Sequence, residues 1–162
     1  MKRLLIYLAI TLTAIGAFSY WYFRPERVIK RNTLSLLSEL TISNDIGRTG
    51  RIMKSSAIAN YFTSPTTLHS DFDNANGPFG QEEINGACDM ITQQASSVEI
   101  TPHEDMVITI ADDTATATLS AEVKAKLGKW IEVVDGTYDI TIHWKKTDKG
   151  WKINECAWKE IP

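Results

Sequence analysis

The sequence predicts an α+β domain whose N-terminal helices pack on a curved, mostly antiparallel sheet, a cone, preceded by one N-terminal transmembrane helix. Three observations predict it. Apolar residues recur at helical spacing in the segments up to Ala95. After Ser97 the period changes to two and stays there. Ahead of both, Leu4 to Phe23 carries no charged side chain. Helices first and strands after, with a sheet that is apolar on one face, imply two packed layers around one core.

The uncharged run is bracketed by Lys2 and Arg3 before it and Arg24 after it. About 20 helical residues at about 1.5 Å each span about 30 Å, the depth of a bilayer's hydrocarbon core. The run ends in Tyr20-Trp21-Tyr22-Phe23, aromatic side chains of the kind that sit at a membrane–water interface. Residues 1–23 therefore read as a transmembrane signal anchor and residues 24–162 as one domain. A cleaved secretory signal is the alternative, since Ala14/Gly16 and Ala17/Ser19 are small pairs suited to cleavage. Lys2 and Arg3 favour a cytoplasmic N-terminus, whereas Arg24, Arg27, Lys30 and Arg31 pull the other way. The expectation is a single-pass membrane protein with an exported C-terminal domain and the membrane as a partner through the N-terminal helix. The basic flank also suits anionic lipid head groups.

Lys2 and Arg3 lie before the apolar run, which leaves 15 basic against 20 acidic side chains in the remainder. That acidic balance argues against a nucleic-acid binder built on a basic surface. Cys88 and Cys156 fit neither a metal-site spacing nor a CxxC redox pair. Whether they pair with each other is open.

Pro25 can open the first helix. Its apolar stripe is Ile29, Thr33, Leu36, Leu37 and Leu40, and it ends near Ser43-Asn44. A second short helix follows from Met53, Ala57 and Tyr61, with Ile58 and Phe62 beside them, and stops at Pro65. Thr66 to Phe72 reads as a short strand, and Asp73 to Pro78 as a turn-rich loop. Gly80-Gln81-Glu82-Glu83 opens a third helix with its acids at the positive end of the helix dipole. Its stripe is Ile84, Ala87, Cys88, Ile91 and Ala95.

The strands come next. Val98 and Ile100, then Met106, Ile108 and Ile110, alternate with polar residues. Ala115 to Ala125 alternate with Thr116 to Lys126 in the clearest strand of the chain. Tyr138, Ile140, Ile142 and Trp144 repeat the pattern, Lys146 to Gly150 is a hairpin turn, and Trp151 to Lys159 is the closing strand. Between Leu127 and Thr137 the reading is a loop at a cavity mouth or a strand start with a bulge at Gly136.

This order resembles the nuclear transport factor 2-like superfamily, also called the SnoaL-like or cystatin-like cone. The segments that carry the resemblance are Asn60-Tyr61-Phe62-Thr63, Gly77-Pro78-Phe79-Gly80-Gln81-Glu82-Glu83-Ile84 and Gly150-Trp151-Lys152-Ile153. The resemblance implies helices on a cone-shaped sheet over residues 26–161. It implies no single activity, because such domains serve as isomerases, dehydratases, hydrolases, transport adaptors and secretion scaffolds.

Site chemistry is sparse. A steroid-isomerase-like site needs a carboxylate base facing a Tyr or a protonated acid, and the first helix offers no Tyr on its apolar stripe. Dehydratase-type members use an Asp and two His, and this chain has only His69, His103 and His143. His69 with Asp71 is the one pair suited to a base and its orienter; a surface pair on an edge strand is the plainer reading. Tyr61, Phe72, Trp130 and Trp144 can line a pocket or its rim, or simply pack. No catalytic residue, cofactor-binding residue, cofactor or metal ligand is expected. The expected role is a membrane-tethered, non-catalytic binding or assembly module, laid out like the scaffold proteins of bacterial secretion systems. A homodimer or protein partner would use the sheet face. The alternatives are a small-molecule or lipid binder and a SnoaL-like isomerase, dehydratase or hydrolase. A filled cone favours the scaffold, converging ionisable groups inside it favour the enzyme, and a deep apolar cone favours the lipid binder.

Overall fold

The computed structural model describes residues 11–16, 18, 20–70, 76–103, 105–127 and 133–162. Its elements are α1 (Pro25–Leu40), α2 (Arg48–Ala59), β1 (Phe62–Ser70), β2 (Gly77–Phe79), α3 (Gln81–Gln94), β3 (Ala95–Pro102), β4 (Val107–Ala111), β5 (Thr114–Leu127), β6 (Val133–Thr147) and β7 (Gly150–Ile161). The strands form one sheet in the order β2-β1-β7-β6-β5-β3, with β4 also paired to β5. Every pair is antiparallel except β1 with β7. The α+β class and the mostly antiparallel sheet are as the sequence predicts.

Strict alternation makes β5 the spine. Its Ala115, Ala117, Leu119 and Ala121 are buried, and small side chains there leave room for what packs above them. β5 pairs along its length with β6, Ala117 facing Ile142 and Ala115 facing Trp144. On its other edge β3 takes the Ala121–Leu127 half and β4 the Thr114–Thr118 half. The chain crosses between them at His103, whose N–H donates to Ser120 O at 2.9 Å.

The helices roof the inner face. α1 buries Ile29, Thr33, Leu36 and Leu37, the stripe expected from its periodicity. α3 buries Ile84, Cys88 and Thr92, and the Glu83 carboxylate accepts the Gly80 N–H at 2.7 Å across its first turn. Its last turn is closed by Arg51 of α2, whose Nη1 donates to Thr92 O at 2.7 Å and to Ala95 O at 2.6 Å. A cation on the orphan carbonyls of a helix C-terminus satisfies them and complements the dipole. Just past α1, Ile42 bridges to Val98 of β3 through two backbone hydrogen bonds of 2.8 and 2.9 Å.

The core under this roof joins Ile29, Leu36, Ile58, Ala59, Ile84, Cys88, Ala115, Ala117, Ile142, Trp144 and Ile153. Trp144 and Ile153 are fully buried. Each such side chain stabilises the fold by about 1.5–3 kcal/mol relative to exposure. The inside of the cone is thus filled by protein.

Several expectations are corrected. The second helix turns Ser55, Ile58 and Ala59 inward and leaves Met53 exposed, because these residues pack against α3. The segment around Pro65 is strand, with a register shift between Phe62 and Thr67 that accommodates the proline. Gly136 sits in register with Val123, so no bulge lies there. The bulge is in β7, where Ile153 pairs with Trp144 and Glu155 with His143, leaving Asn154 as the extra residue. It turns Cys156 toward the core, opposite Ile142. Both cysteines are free thiols. Trp151 and Trp158 are each half-buried.

The single-pass membrane placement is also overturned. Among the described residues no helix is long and apolar enough to cross a membrane. The described helical positions ahead of α1 are 11–16, 18 and 20–22, and the helix ends at Phe23–Arg24 before Pro25. The expected span also takes in residues 4–10, 17 and 19, which lie outside the described residues.

Candidate functional site

Of the sequence-predicted residues, Tyr61, His69 and Trp144 are described, and these three do not assemble into one site. Trp144 lies at the centre of the core with Tyr61 edge-on to it, ring centroids 6.3 Å apart. The Tyr61 hydroxyl reaches the surface and donates to Ser35 Oγ at 2.9 Å. Tyr61 is therefore the rim of a packed core. His69 is on β1, exposed, with Nε2 3.4 Å from Glu155 Oε1 on the neighbouring strand. His143 Nδ1 is 3.0 Å from Thr116 Oγ1. Asp71, Phe72 and Trp130 lie outside the described residues. His69 and Trp144 sit apart: one is exposed beside Glu155, the other fills the interior.

The interior carries little polarity. Its buried polar residues among those described are Thr33, Ser55, Thr66 and Thr92, none of them ionisable in the working pH range. Thr33 Oγ1 and Trp144 Nε1 are buried with no hydrogen-bond partner among the described residues. Neither a hydroxyl nor an indole N–H serves as a base near neutral pH.

The polar groups converge on a cleft outside the core, between α2, α3 and the turn joining β6 to β7. It holds about 480 Å³ and is lined by Ser55, Ser56, Asn60, Gln81, Asn85, Asp89, Lys149 and Lys152, with Ala59 and Phe62 at its base. Helix periodicity builds one wall: Gln81, Asn85 and Asp89 follow at four-residue spacing and share a face of α3. Gln81 Nε2 donates to Asn85 Oδ1 at 3.1 Å. Ser55 of α2 donates its hydroxyl proton to the Asp89 carboxylate and ties the two helices together. Lys152 donates to the carbonyl of Asn60 at the C-terminus of α2. Lys149, at the hairpin turn, makes no ion pair among the described residues.

The arrangement presents one ammonium free to meet an anion, a second ammonium beside it, an exposed carboxylate to accept from hydroxyls, and two carboxamides that both donate and accept. It suits capture of a polar molecule. The volume falls within the usual range for small-molecule sites, about 300–1,000 Å³. Sequence reading missed these residues. The Gln81/Asn85/Asp89 spacing was the signal for one wall; the lysines reach the cleft only through the tertiary fold. Among the described residues no three His, Cys, Asp or Glu side chains gather in a way that could hold a metal ion.

The outer sheet face is polar. It carries Thr116, Thr118, Thr141, His143 and Glu155 in cross-strand register, with Ala157 and the exposed Val107 as apolar members among them and no larger apolar patch among these residues.

No family model matches the chain, and no curated protein matches it. Solved structures do. A nuclear transport factor 2-like protein from Cytophaga hutchinsonii is 16% identical, with 86% of this chain and 100% of that chain covered and a TM-score of 0.63. A protein from Novosphingobium aromaticivorans, provisionally assigned as a scytalone dehydratase, is 12% identical, with 85% and 84% covered and a TM-score of 0.66. A ketosteroid isomerase-like protein from Erwinia carotovora atroseptica is 14% identical, with 86% and 99% covered and a TM-score of 0.62. Identities this low speak for the fold alone. On that ground the α1–β7 domain has the nuclear transport factor 2-like cone fold.

Proposed function

We propose that this chain binds a small, polar, anionic molecule in the cleft between α2, α3 and the β6–β7 turn. The observation that carries the reading is the division of polarity: the cone interior is filled by Trp144, Ile142 and Ile153, while ionic and amide groups face the cleft. A carboxylate would meet Lys149, and hydroxyls on the same molecule would meet Asp89 and Asn85. A hydroxy acid has both.

Isomerase or dehydratase chemistry is the competing reading, since several fold neighbours carry those names. It would need a base and an oxyanion donor facing each other inside the cone. The buried donors Thr33 and Trp144 have no buried base beside them among the described residues, which favours binding over catalysis. The polar sheet face likewise weakens the assembly reading.

The test is a thermal-shift and calorimetric panel of hydroxy acids such as gluconate, tartrate and citrate on the intact protein. Binding by at least one is expected, weakened roughly tenfold by Lys149→Ala and by Asp89→Asn, each removing one charge-assisted contact. Silence across the panel, or binding indifferent to both substitutions, overturns the reading.

A further inference from the structure

The segment around the start of α1 carries four cations, Arg24, Arg27, Lys30 and Arg31, all exposed. Among the described residues none of them makes an ion pair, although Glu26 lies in the same helical turn. The guanidiniums are held over aromatic rings instead. Arg27 Cζ lies 3.6 Å from the centre of the Trp21 ring, Arg31 Cζ 4.4 Å from that of Tyr22, and Arg24 Cζ 5.4 Å from that of Tyr20. The rings are braced in turn: Phe18 lies 6.1 Å from Trp21 and 5.8 Å from Tyr22, and Phe23 stands edge-on to Tyr22 at 5.2 Å.

Trp21, Tyr22, Arg27, Lys30, Arg31 and Leu34 line one hollow of about 370 Å³. Arg27 and Arg31 are four residues apart and so stand one above the other on the helix, with Lys30 alongside. Like charges at that spacing repel and destabilise an isolated helix. The rings offset part of that cost and restrict the rotamers of both guanidiniums. A carboxylate brings only one charge and two oxygens to these three cations. A phosphoryl group has oxygens enough for two forks and an ammonium, and its charge relieves the repulsion.

The geometry points to a phosphoester-binding site at Arg27, Lys30 and Arg31, walled by Trp21 and Tyr22. The site is separate from the cleft of the proposed function and stands or falls without it. The phosphoester is either a free soluble molecule or the head group of an anionic lipid, and the experiment distinguishes the two.

The full chain is titrated with glycerol 1-phosphate by calorimetry, and co-sedimented with vesicles of phosphatidylglycerol and of phosphatidylcholine. Two double variants accompany it: R27Q/R31Q, which empties the site, and K145Q/K146Q, which removes the same charge from the exposed hairpin. Thermal melts confirm that both fold. Glycerol phosphate binding that weakens roughly tenfold or more in R27Q/R31Q and persists in K145Q/K146Q supports the site and a soluble ester. Retention by phosphatidylglycerol but not phosphatidylcholine vesicles, with the same dependence on the variants, supports it with a head group as the source. Three results overturn it: no binding of either probe, equal loss in both variants, and equal adsorption to phosphatidylcholine.

Discussion

The inside of the cone and the cleft beside it are built from opposite materials. Inside, Ile29, Leu36, Ile58, Ala117, Ile142, Trp144 and Ile153 close on one another. In the cleft, a few ångströms of helix away in sequence terms, Ser55 and Asn60 of the same α2 segment meet Asp89, Asn85 and two lysines. One helix serves both regions by its period: Ile58 and Ala59 join the core while Ser56 and Asn60 line the cleft. The difference teaches that a cone need not use its interior as a site. Once a tryptophan fills the interior, the polar groups gather at the rim, where they stay solvated and cost little to hold.

The largest test of this division is Trp144→Ala. Removing a fully buried tryptophan costs about 3–5 kcal/mol, through lost burial and the cavity left behind. Denaturant unfolding should show that loss, or the domain should fail to fold. Trp144→Phe, which keeps most of the volume, should cost clearly less. If Trp144→Ala unfolded within about 1 kcal/mol of the parent, the interior would not be a packed core, and the comparison would break.

A second effect depends on pH. Burial, and then the charge of Asp89, pushes the Cys88 thiol up to about 11 from an ordinary 9.0. Burial, and then Glu155, pushes Cys156 up to about 12. The folded state therefore keeps its thiol protons after the unfolded chain has released them. Where the folded state binds more protons, stability falls as pH rises. The contribution is fully present below pH 9 and is lost between about 9 and 11–12. Melting temperature followed from pH 8 to 11 should drop less steeply in Cys88→Ala/Cys156→Ala than in the parent. Identical slopes would mean that the thiols are not in the dry interior.

A third, smaller effect runs the other way. Thr33 Oγ1 is buried without a partner among the described residues, so burial costs the hydroxyl its solvation with no bond in return. Thr33→Val keeps the shape and removes the unsatisfied group. It should be neutral or stabilising by up to about 1 kcal/mol, read from the denaturation midpoint. A clear loss of stability would reveal a partner for the hydroxyl and a wetter interior than described.

Legibility in the sequence follows the same divide. Periodic elements were readable: the inward stripe of α1, the alternation of β5 and the hairpin of β6 with β7 each follow from one local pattern. α2 was misphased because a serine, Ser55, occupies one of its inward positions and an exposed Met53 mimics a core residue. β1 was started four residues late because Pro65 looked like a stop, and its parallel pairing with β7 is a long-range choice that no local pattern records. The apolar N-terminal run was read by composition alone, and among the described residues no helix is long and apolar enough to cross a membrane. The cleft was invisible for a related reason. Lys152 meets Asn60 across 92 residues of chain, and only the folded sheet brings them together.

The smallest predicted effect sharpens the comparison from the far side of the sheet. His69 was the one histidine whose sequence context suggested chemistry, through Asp71 two residues on. In the fold its ring is exposed, and its described charged neighbour is Glu155 at 3.4 Å, itself 39% exposed. An ion pair in that setting is screened by water and pays the entropy of two side chains, so it is worth at most about 0.5–1 kcal/mol and often nothing. It also stands apart from the cleft, which is lined by α2, α3 and the hairpin turn. His69→Ala should therefore change the unfolding free energy by no more than about 0.5 kcal/mol, and leave hydroxy-acid binding untouched. Asp89→Asn in parallel should reverse that pattern, losing binding. If His69→Ala instead abolished binding while the fold stayed intact, the working face of this protein would be the outer sheet, and the division between a filled interior and an active rim would have to be redrawn around Glu155 and His143.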